Sequence, residues 1–185
     1  SMPYLDFEER TLKTKERIQR LIDSREMVER AGLHCDIVGG GGTATWNITG
    51  TIPGVTEVHA GRYVIADLFY RSLGDFEVSL KVLATVISRP RKGLAVIDCG
   101  HKGIHLDYSA HGNRQKYPHL PDDYDGFPKV ESPKGARFIS LDAEHGRLAV
   151  EGDAEQLRRG DKIVLLPAYE ATPVNQHDYY FGIRN

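Results

Sequence analysis

The chain has 185 residues, of which 27% are charged and 40% hydrophobic, with a formal net charge of −2. This is one domain or two small ones, long enough to bury a core, and the near-neutral charge without a basic stripe gives no reason to expect nucleic acid. No apolar stretch approaches the ~20 residues that span a bilayer, and the start lacks the basic-then-apolar pattern of a signal peptide, so the expectation is a cytoplasmic protein with no membrane partner.

Ser1-Met2 reads as a cloning remnant ahead of the natural sequence. Residues 6 to about 31 read as a helix. Glu8, Glu9, Lys13, Lys15, Glu16, Arg17 and Arg20 supply a solvated face, Leu12, Ile18, Leu21, Ile22 and Val28 recur at helical spacings, and Gly32 is a fitting terminator. A short apolar strand, His34 to Val38, follows, and then four consecutive glycines, Gly39 to Gly42, and Thr43. A glycine run loses more backbone entropy on folding than any other sequence. The usual reason for one is close approach of backbone amides to a ligand, commonly a phosphate; a flexible turn between two elements is the other reading. No Lys-Ser or Lys-Thr pair follows at P-loop spacing, and no acidic residue stands where a dinucleotide fold requires one. Thr43 to Trp46 can open a helical turn. A lone αβ unit is odd here, because a parallel strand needs neighbours that nothing in this chain supplies.

From Thr56 onward the pattern changes to strands. Tyr63 to Phe69, Val78 to Ser88, Leu94 to Asp98, Arg137 to Leu141, Arg147 to Val150 and Lys162 to Leu166 are rich in β-branched or aromatic residues, with turns such as Arg89 to Gly93 and His145-Gly146 between them. Cys35, in the strand His34 to Val38, and Cys99, at the end of the strand from Leu94, read as reduced core residues, too few for a disulfide framework. The segment from Tyr108 to Ala136, rich in Pro, Asp, Tyr and His, is too long for a simple connector. Within it, Tyr124, Phe127 and the aspartates at 122, 123 and 125 read as a surface loop. The fold class is α+β: an αβ unit followed by an antiparallel β-sandwich or small barrel. His105-x-Asp107 with His111, and Glu144-His145 beyond, carry donors that suit Zn²⁺ or Mn²⁺, but no HExxH or CxxC spacing supports a site, and such pairs are common in polar loops. Asp98 and Lys102 are placed to pair across a turn.

Six segments in one order carry a resemblance. They are Gly39-Gly-Gly-Gly-Thr43-Ala-Thr45-Trp46; Val55-Thr-Glu-Val-His59-Ala-Gly-Arg-Tyr63-Val-Ile-Ala-Asp67; Val82 to Pro90; Asp98-Cys-Gly-His-Lys102; Glu144-His-Gly146; and Gly160-Asp161 through Leu166-Pro167 to Val174-Asn175. Over nearly its whole length the chain resembles the C-terminal portion of the D-threonine aldolase and D-serine dehydratase family. The resemblance implies a fold-type III pyridoxal phosphate (PLP) enzyme with an alanine racemase-like α/β barrel followed by a β-domain. Residues 1–52 would be the last helix, strand and phosphate loop of an incomplete barrel, and residues 53–185 the β-domain. It further implies that Gly40, Gly41, Gly42 and Thr43 hold the cofactor phosphate, in agreement with the phosphate sites of α/β barrels. Tyr63 stands where the family has a tyrosine and would line the cleft; a core or interface tyrosine is the alternative. His59 would face a ligand or lie on a surface strand.

Two departures accompany the resemblance. The family's Schiff-base lysine lies on the first barrel strand, outside this chain, and Lys81 and Lys102 do not match its motif. No catalytic residue is therefore assigned, and the chain alone is expected to be inactive. The family also places a divalent metal on a His-x-Asp or His-x-Cys pair in the terminal segment, where this chain has Tyr169 and Ala171. Neutral tyrosine is a poor ligand and alanine none, so no divalent metal is expected; Glu170 could ligate only with the register slipped by one. The implied parent is a lyase acting on β-hydroxy-D-amino acids, a homodimer or a complex with the missing barrel half. A racemase-like relative and a non-catalytic binding domain are the alternatives.

Overall fold

The computed structural model describes residues 6–108, 111, 120, 122 and 124–184. Its contacts divide the chain into two compact units, the first running to Val64 and the second beginning at Ile65.

In the first unit, α1 (Phe7–Arg30) starts where the Asp6 carboxylate accepts the Glu9 N–H at 2.9 Å, with Glu8 and Glu9 in the first turn. That satisfies an otherwise orphaned amide and places negative charge at the positive end of the helix dipole. The exposed ion pairs Glu16–Arg20 and Arg25–Glu29 run along it at i,i+4, each contributing a few tenths of a kcal/mol. The buried seam is Arg10, Thr14 and Ile18, four residues apart, with Ile22 half-buried beyond it, so of the apolar series only Ile18 is fully covered. Leu12 is 70% exposed, and Leu21 and Val28 are exposed as well. The helix packs on the 3-10 turn Thr43–Thr45 and on α2 (Trp46–Thr49), which reach only one side of it, so helical spacing alone could not tell which side is covered.

The strand expected over His34 to Val38 lies instead at the glycines. β1 (Gly39–Gly40) pairs in parallel with β2 (Glu57–Val58). Val38 abuts the pair, donating its N–H to Thr56 Oγ1 at 2.8 Å and accepting the Thr56 N–H at 3.0 Å. Cys35 lies in irregular chain and is half-buried.

In the second unit, α3 (Leu68–Ser72) precedes a six-stranded antiparallel sheet. Its strands are β3 (Val82–Arg91), β4 (Leu94–Ile97), β5 (Lys129–Ser132), β6 (Ala136–Leu141), β7 (Gly146–Val150) and β8 (Lys162–Leu166), in the order β5-β8-β3-β4-β7-β6. The outer strands β5 and β6 approach one another, which leaves the sheet barrel-like and nearly closed. Its interior is filled by Val86, Ala95, Ile97, Ile104, Leu148, Ile163 and Leu165, all fully buried, supplied by alternate positions of the strands and by the loop after β4. Cys99 packs among them. A short α4 (Ala171–Gln176) follows β8.

Five of the six expected strands are present. The stretch Tyr63 to Phe69 is instead a 3-10 turn (Arg62–Ile65) and the start of α3. Its aromatic and β-branched residues fit a strand, but the Asp67 carboxylate caps the Tyr70 N–H at 2.9 Å and begins a helix there. β5 and α4 were not anticipated. Tyr124 is not on a surface loop: it is 4% exposed, and its hydroxyl donates to Asp107 Oδ2 (2.7 Å) or Ala168 O (3.1 Å). Phe127 packs against the barrel core, Asp122 and Asp125 are exposed, and Asp123 lies outside the described residues.

Arg89 clamps the end of this barrel. Its guanidinium donates to the carbonyls of Leu94 (3.0 Å), Glu155 (3.2 Å) and Leu157 (2.6 Å). Replacing it with Met leaves those acceptors without their charged donor. Arg89→Met should lower stability by about 3 kcal/mol, read as a shifted urea midpoint at unchanged slope.

Candidate functional site

The glycine run is shaped by what touches it. Gly41 sits at φ +75°, and a Cβ there would come within 2.5 Å of Thr49 Oγ1. Only glycine meets both conditions without strain. Gly42 is different: its backbone is extended (φ −174°), and a Cβ would meet nothing within 4 Å. The loop thus turns sharply at Gly41, presents an open face at Gly42, and enters the 3-10 turn at Thr43. The first N–H groups of such a turn lack partners within it and, with the bare face at Gly42, suit an oxyanion.

Three of the four proposed phosphate-binding residues have internal duties. The Gly42 N–H donates to Thr45 Oγ1 at 3.2 Å, and buried Thr43 Oγ1 accepts the Arg62 N–H at 2.9 Å. Gly40 is held in the ladder with β2, its carbonyl accepting the His59 N–H at 3.0 Å. His59 is more than half exposed and lies 2.8 Å from Glu57 Oε1. Its imidazole lies over Gly39, where a Cβ would stand 2.4 Å from Nε2. Tyr63 is 51% exposed, on the turn Arg62–Ile65.

In the second unit the terminal segment is held by two acids. Asp67 and Glu170 are almost fully buried. Asp67 Oδ1 accepts the Tyr70 N–H and Oδ2 accepts the Glu170 N–H at 2.8 Å. Burial first, then the hydrogen bond and the charge of Glu170, push Asp67 up to about 8, against the opposing pull of the two amides. Ala168, Glu170 and Pro173 are buried, while Tyr169 and Ala171 are half-buried. Neither Tyr169 nor Ala171 offers the donor that Zn²⁺ or Mn²⁺ prefers, and the Glu170 side chain is buried.

Several of the remaining ionisable groups have structural partners. Lys102 pairs with Glu144, joining the Asp-x-Gly-x-Lys turn to the Glu-His-Gly turn, and not with Asp98. Asp98 Oδ1 instead accepts the Thr85 N–H at 2.6 Å. Lys81 pairs with Glu131 at 2.7 Å. The Cys99 thiol is pushed up to about 12 by burial and then by Asp98, which removes it as a nucleophile. The His101 imidazole is held below its usual range, by burial and then by His105. Among the described residues, no group of three or more His, Cys, Asp or Glu side chains could hold a metal ion, so His105, Asp107 and His111 do not form a site. Asp107 is bonded to Tyr124, and the His111 ring packs edge-on against Phe127. No helix among the described residues is long and apolar enough to cross a membrane.

The putative serine dehydratase domain family matches residues 79–183. A 3-hydroxy-D-aspartate aldolase of Paracoccus denitrificans (strain Pd 1222) is 28% identical over the full chain and 46% of its own length. The D-threo-3-hydroxyaspartate dehydratase of Delftia sp. (strain HT23) is 36% identical over 86% of this chain and 44% of its own length. The crystal structure of D-threonine aldolase from Filomicrobium marinum superposes with a TM-score of 0.77 and 28% identity, covering 96% of this chain and 44% of the aldolase. A cysteine-to-alanine variant of a D-threo-3-hydroxyaspartate dehydratase has been solved in a metal-free form; it is 31% identical with a TM-score of 0.75, covering 96% of this chain and 49% of that one. The chain spans about half the length of the relatives it matches.

Two outcomes follow. Gly41→Ala should cost about 1–3 kcal/mol, whereas Gly42→Ala should change stability by less than about 0.5 kcal/mol, both read by urea denaturation. Because Asp67 binds its proton more tightly folded than unfolded, its contribution is complete below the ordinary carboxylate value of 3.8. It is lost as pH rises toward about 8 and is level beyond. The melting temperature should therefore fall between about pH 5 and pH 8. Glu170→Gln, whose amide donates to an ionised Asp67, should flatten that slope.

Proposed function

Because the chain belongs to the putative serine dehydratase domain family, we propose that it forms the C-terminal part of a PLP-dependent lyase acting on β-hydroxy-D-amino acids. Its relatives are an aldolase of 3-hydroxy-D-aspartate, an aldolase of D-threonine and a dehydratase of D-threo-3-hydroxyaspartate, all with a hydroxyl β to the amino-bearing carbon. The observation that carries the assignment to this end of the protein is the loop at Gly41–Thr43. There a left-handed glycine, an open extended glycine and the first amides of a turn combine in a backbone suited to a phosphate. When bound, PLP supplies the electron sink that stabilises a carbanion next to the amino group.

In this reading the chain's own residues bind and orient. Thr43 and Ala44 would offer backbone amides to the phosphate, Gly41 sets the turn, and Gly42 leaves room for the oxygens. Thr43 Oγ1, fixed by the Arg62 amide, keeps the turn in register with the segment bearing Tyr63. His59, oriented by Glu57 beside the glycine strand, is placed to meet an anionic group at that end of β1. The lysine that anchors the cofactor comes from outside these 185 residues, so the chain alone is inactive in this scheme. The working protein is a homodimer or a complex with the missing barrel half, in the cytoplasm. The donor set at Tyr169 and Ala171 favours a reaction that uses no divalent metal at that position.

The test is turnover of D-threonine and 3-hydroxy-D-aspartate by this chain joined to its barrel half. Release of an aldehyde with glycine identifies an aldolase, and release of ammonia with a keto acid a dehydratase. In that protein Gly42→Val should weaken PLP retention about tenfold while sparing the fold. Racemisation of an amino acid without cleavage would replace the lyase reading, and a joined protein that retains no PLP would end it.

A further inference from the structure

β1 and β2 run in parallel, so their C-terminal ends lie on one edge, where α/β folds bind their ligands. The glycine loop leaves β1 at that edge, and His59 is the first residue beyond β2. The side chains of Glu57 and His59 both occupy the space beside Gly39. A Cβ there would stand 2.7 Å from Glu57 Oε1 and would collide with the imidazole. Gly39 is not among the glycines with positive φ, so a side chain at this position would take away the room for the pair rather than disturb a turn.

The two ring nitrogens are in different situations. Nε2 lies 2.8 Å from Glu57 Oε1, and an ionised carboxylate only accepts, so Nε2 carries a proton. Nδ1 has no partner among the described residues, and the side chain is 58% exposed. The backbone beneath it is fixed, because the His59 N–H donates to Gly40 O at 3.0 Å. The imidazole is thus held from one side and open on the other, beside amides suited to an oxyanion.

We propose that His59, held by Glu57 in the room that Gly39 leaves, is a recognition residue for the phosphate of a ligand at the glycine loop. With Nε2–H bound to Glu57, the protonated ring offers Nδ1–H to a phosphate oxygen, and the imidazolium bridges two anions. Loop amides are neutral dipoles that accept any small oxyanion. A cation beside them favours the more highly charged phosphate monoester over a singly charged anion. This role rests on the phosphate reading of the loop and deepens it.

The experiment follows the His59 ring and the Thr43 and Ala44 amides of the chain by NMR at mildly acidic pH. Inorganic phosphate is added at constant ionic strength, with chloride as the control. Ring and amides should shift together with one dissociation constant, and chloride should move neither. His59→Gln should weaken phosphate binding about tenfold, read from the loop amides. Gly39→Ala, which displaces the ring without removing it, should weaken binding by a similar factor. Should that variant not fold, the exposed position of His59 keeps the glutamine variant decisive. Loop amides that shift while the ring does not, or a His59→Gln variant that binds phosphate like the wild type, would overturn this proposal and leave the loop reading standing. An equal response to chloride would mark an adventitious ion only and would also overturn it. If the amides do not shift at all, the loop reading fails and this proposal with it.

Discussion

Asp67 concentrates the constraints of the second unit. One side chain caps α3 and accepts an amide from the segment after β8, beside the buried acid carried by that segment. All of this happens where water is absent, so each oxygen must be matched within the protein. The Leu68 N–H donates to Pro167 O at 3.0 Å beside it, which brings the same two stretches of backbone together a second time. The order of elements follows from this: the chain enters the β-unit at Asp67, winds through six strands, and returns to Asp67 at Glu170. Without the pairing, α3 would lose its cap and the last segment its anchor.

The first unit depends on a different constraint. Its two-residue strands leave β1 and β2 with one neighbour each, and α1 is covered along the Arg10–Thr14–Ile18 seam while Leu12 and Met27 stand exposed. A two-stranded parallel pair is marginal by itself. What gives this region definite shape is local: Val38 clasped by Thr56, Gly41 fitted against Thr49, and Thr43 receiving the Arg62 amide. Relatives about twice as long carry further chain.

Much of the β-unit was legible because its strands alternate and end at strong turn residues; Lys162–Leu166 was read to the residue. Tyr63 to Phe69 misled because composition cannot register a cap whose second partner, Glu170, lies a hundred residues away. Tyr124 misled for a similar reason. A tyrosine among aspartates and prolines looks solvated, yet its hydroxyl has a carboxylate and a carbonyl to meet inside the protein. On α1 the spacing was right for a helix and only partly right for its buried side, since Ile18 is covered but Leu12 is not, and that side is set by α2 and the turn before it. The glycine run was recognisable as a place of close approach, but not that Gly41 and Gly42 do opposite things, one packed and one open. Lys102 lay beyond local reading too, because its partner Glu144 belongs to another turn.

The terminal segment acquires a physical meaning only with Asp67 in view. At Tyr169 and Ala171, where the resemblance places a metal pair, this chain carries a phenol and a methyl group, neither of them a donor that Zn²⁺ or Mn²⁺ prefers. A cation organises a segment by drawing several donors to one centre. Here the Asp67 carboxyl group takes the backbone amides of Tyr70 and Glu170, and the Tyr124 hydroxyl stands 3.1 Å from Ala168 O, so hydrogen bonds to the backbone fix the residues that follow β8. Burial raises Asp67 to about 8, so this anchor is firmest at mildly acidic pH and loosens as pH rises toward that value.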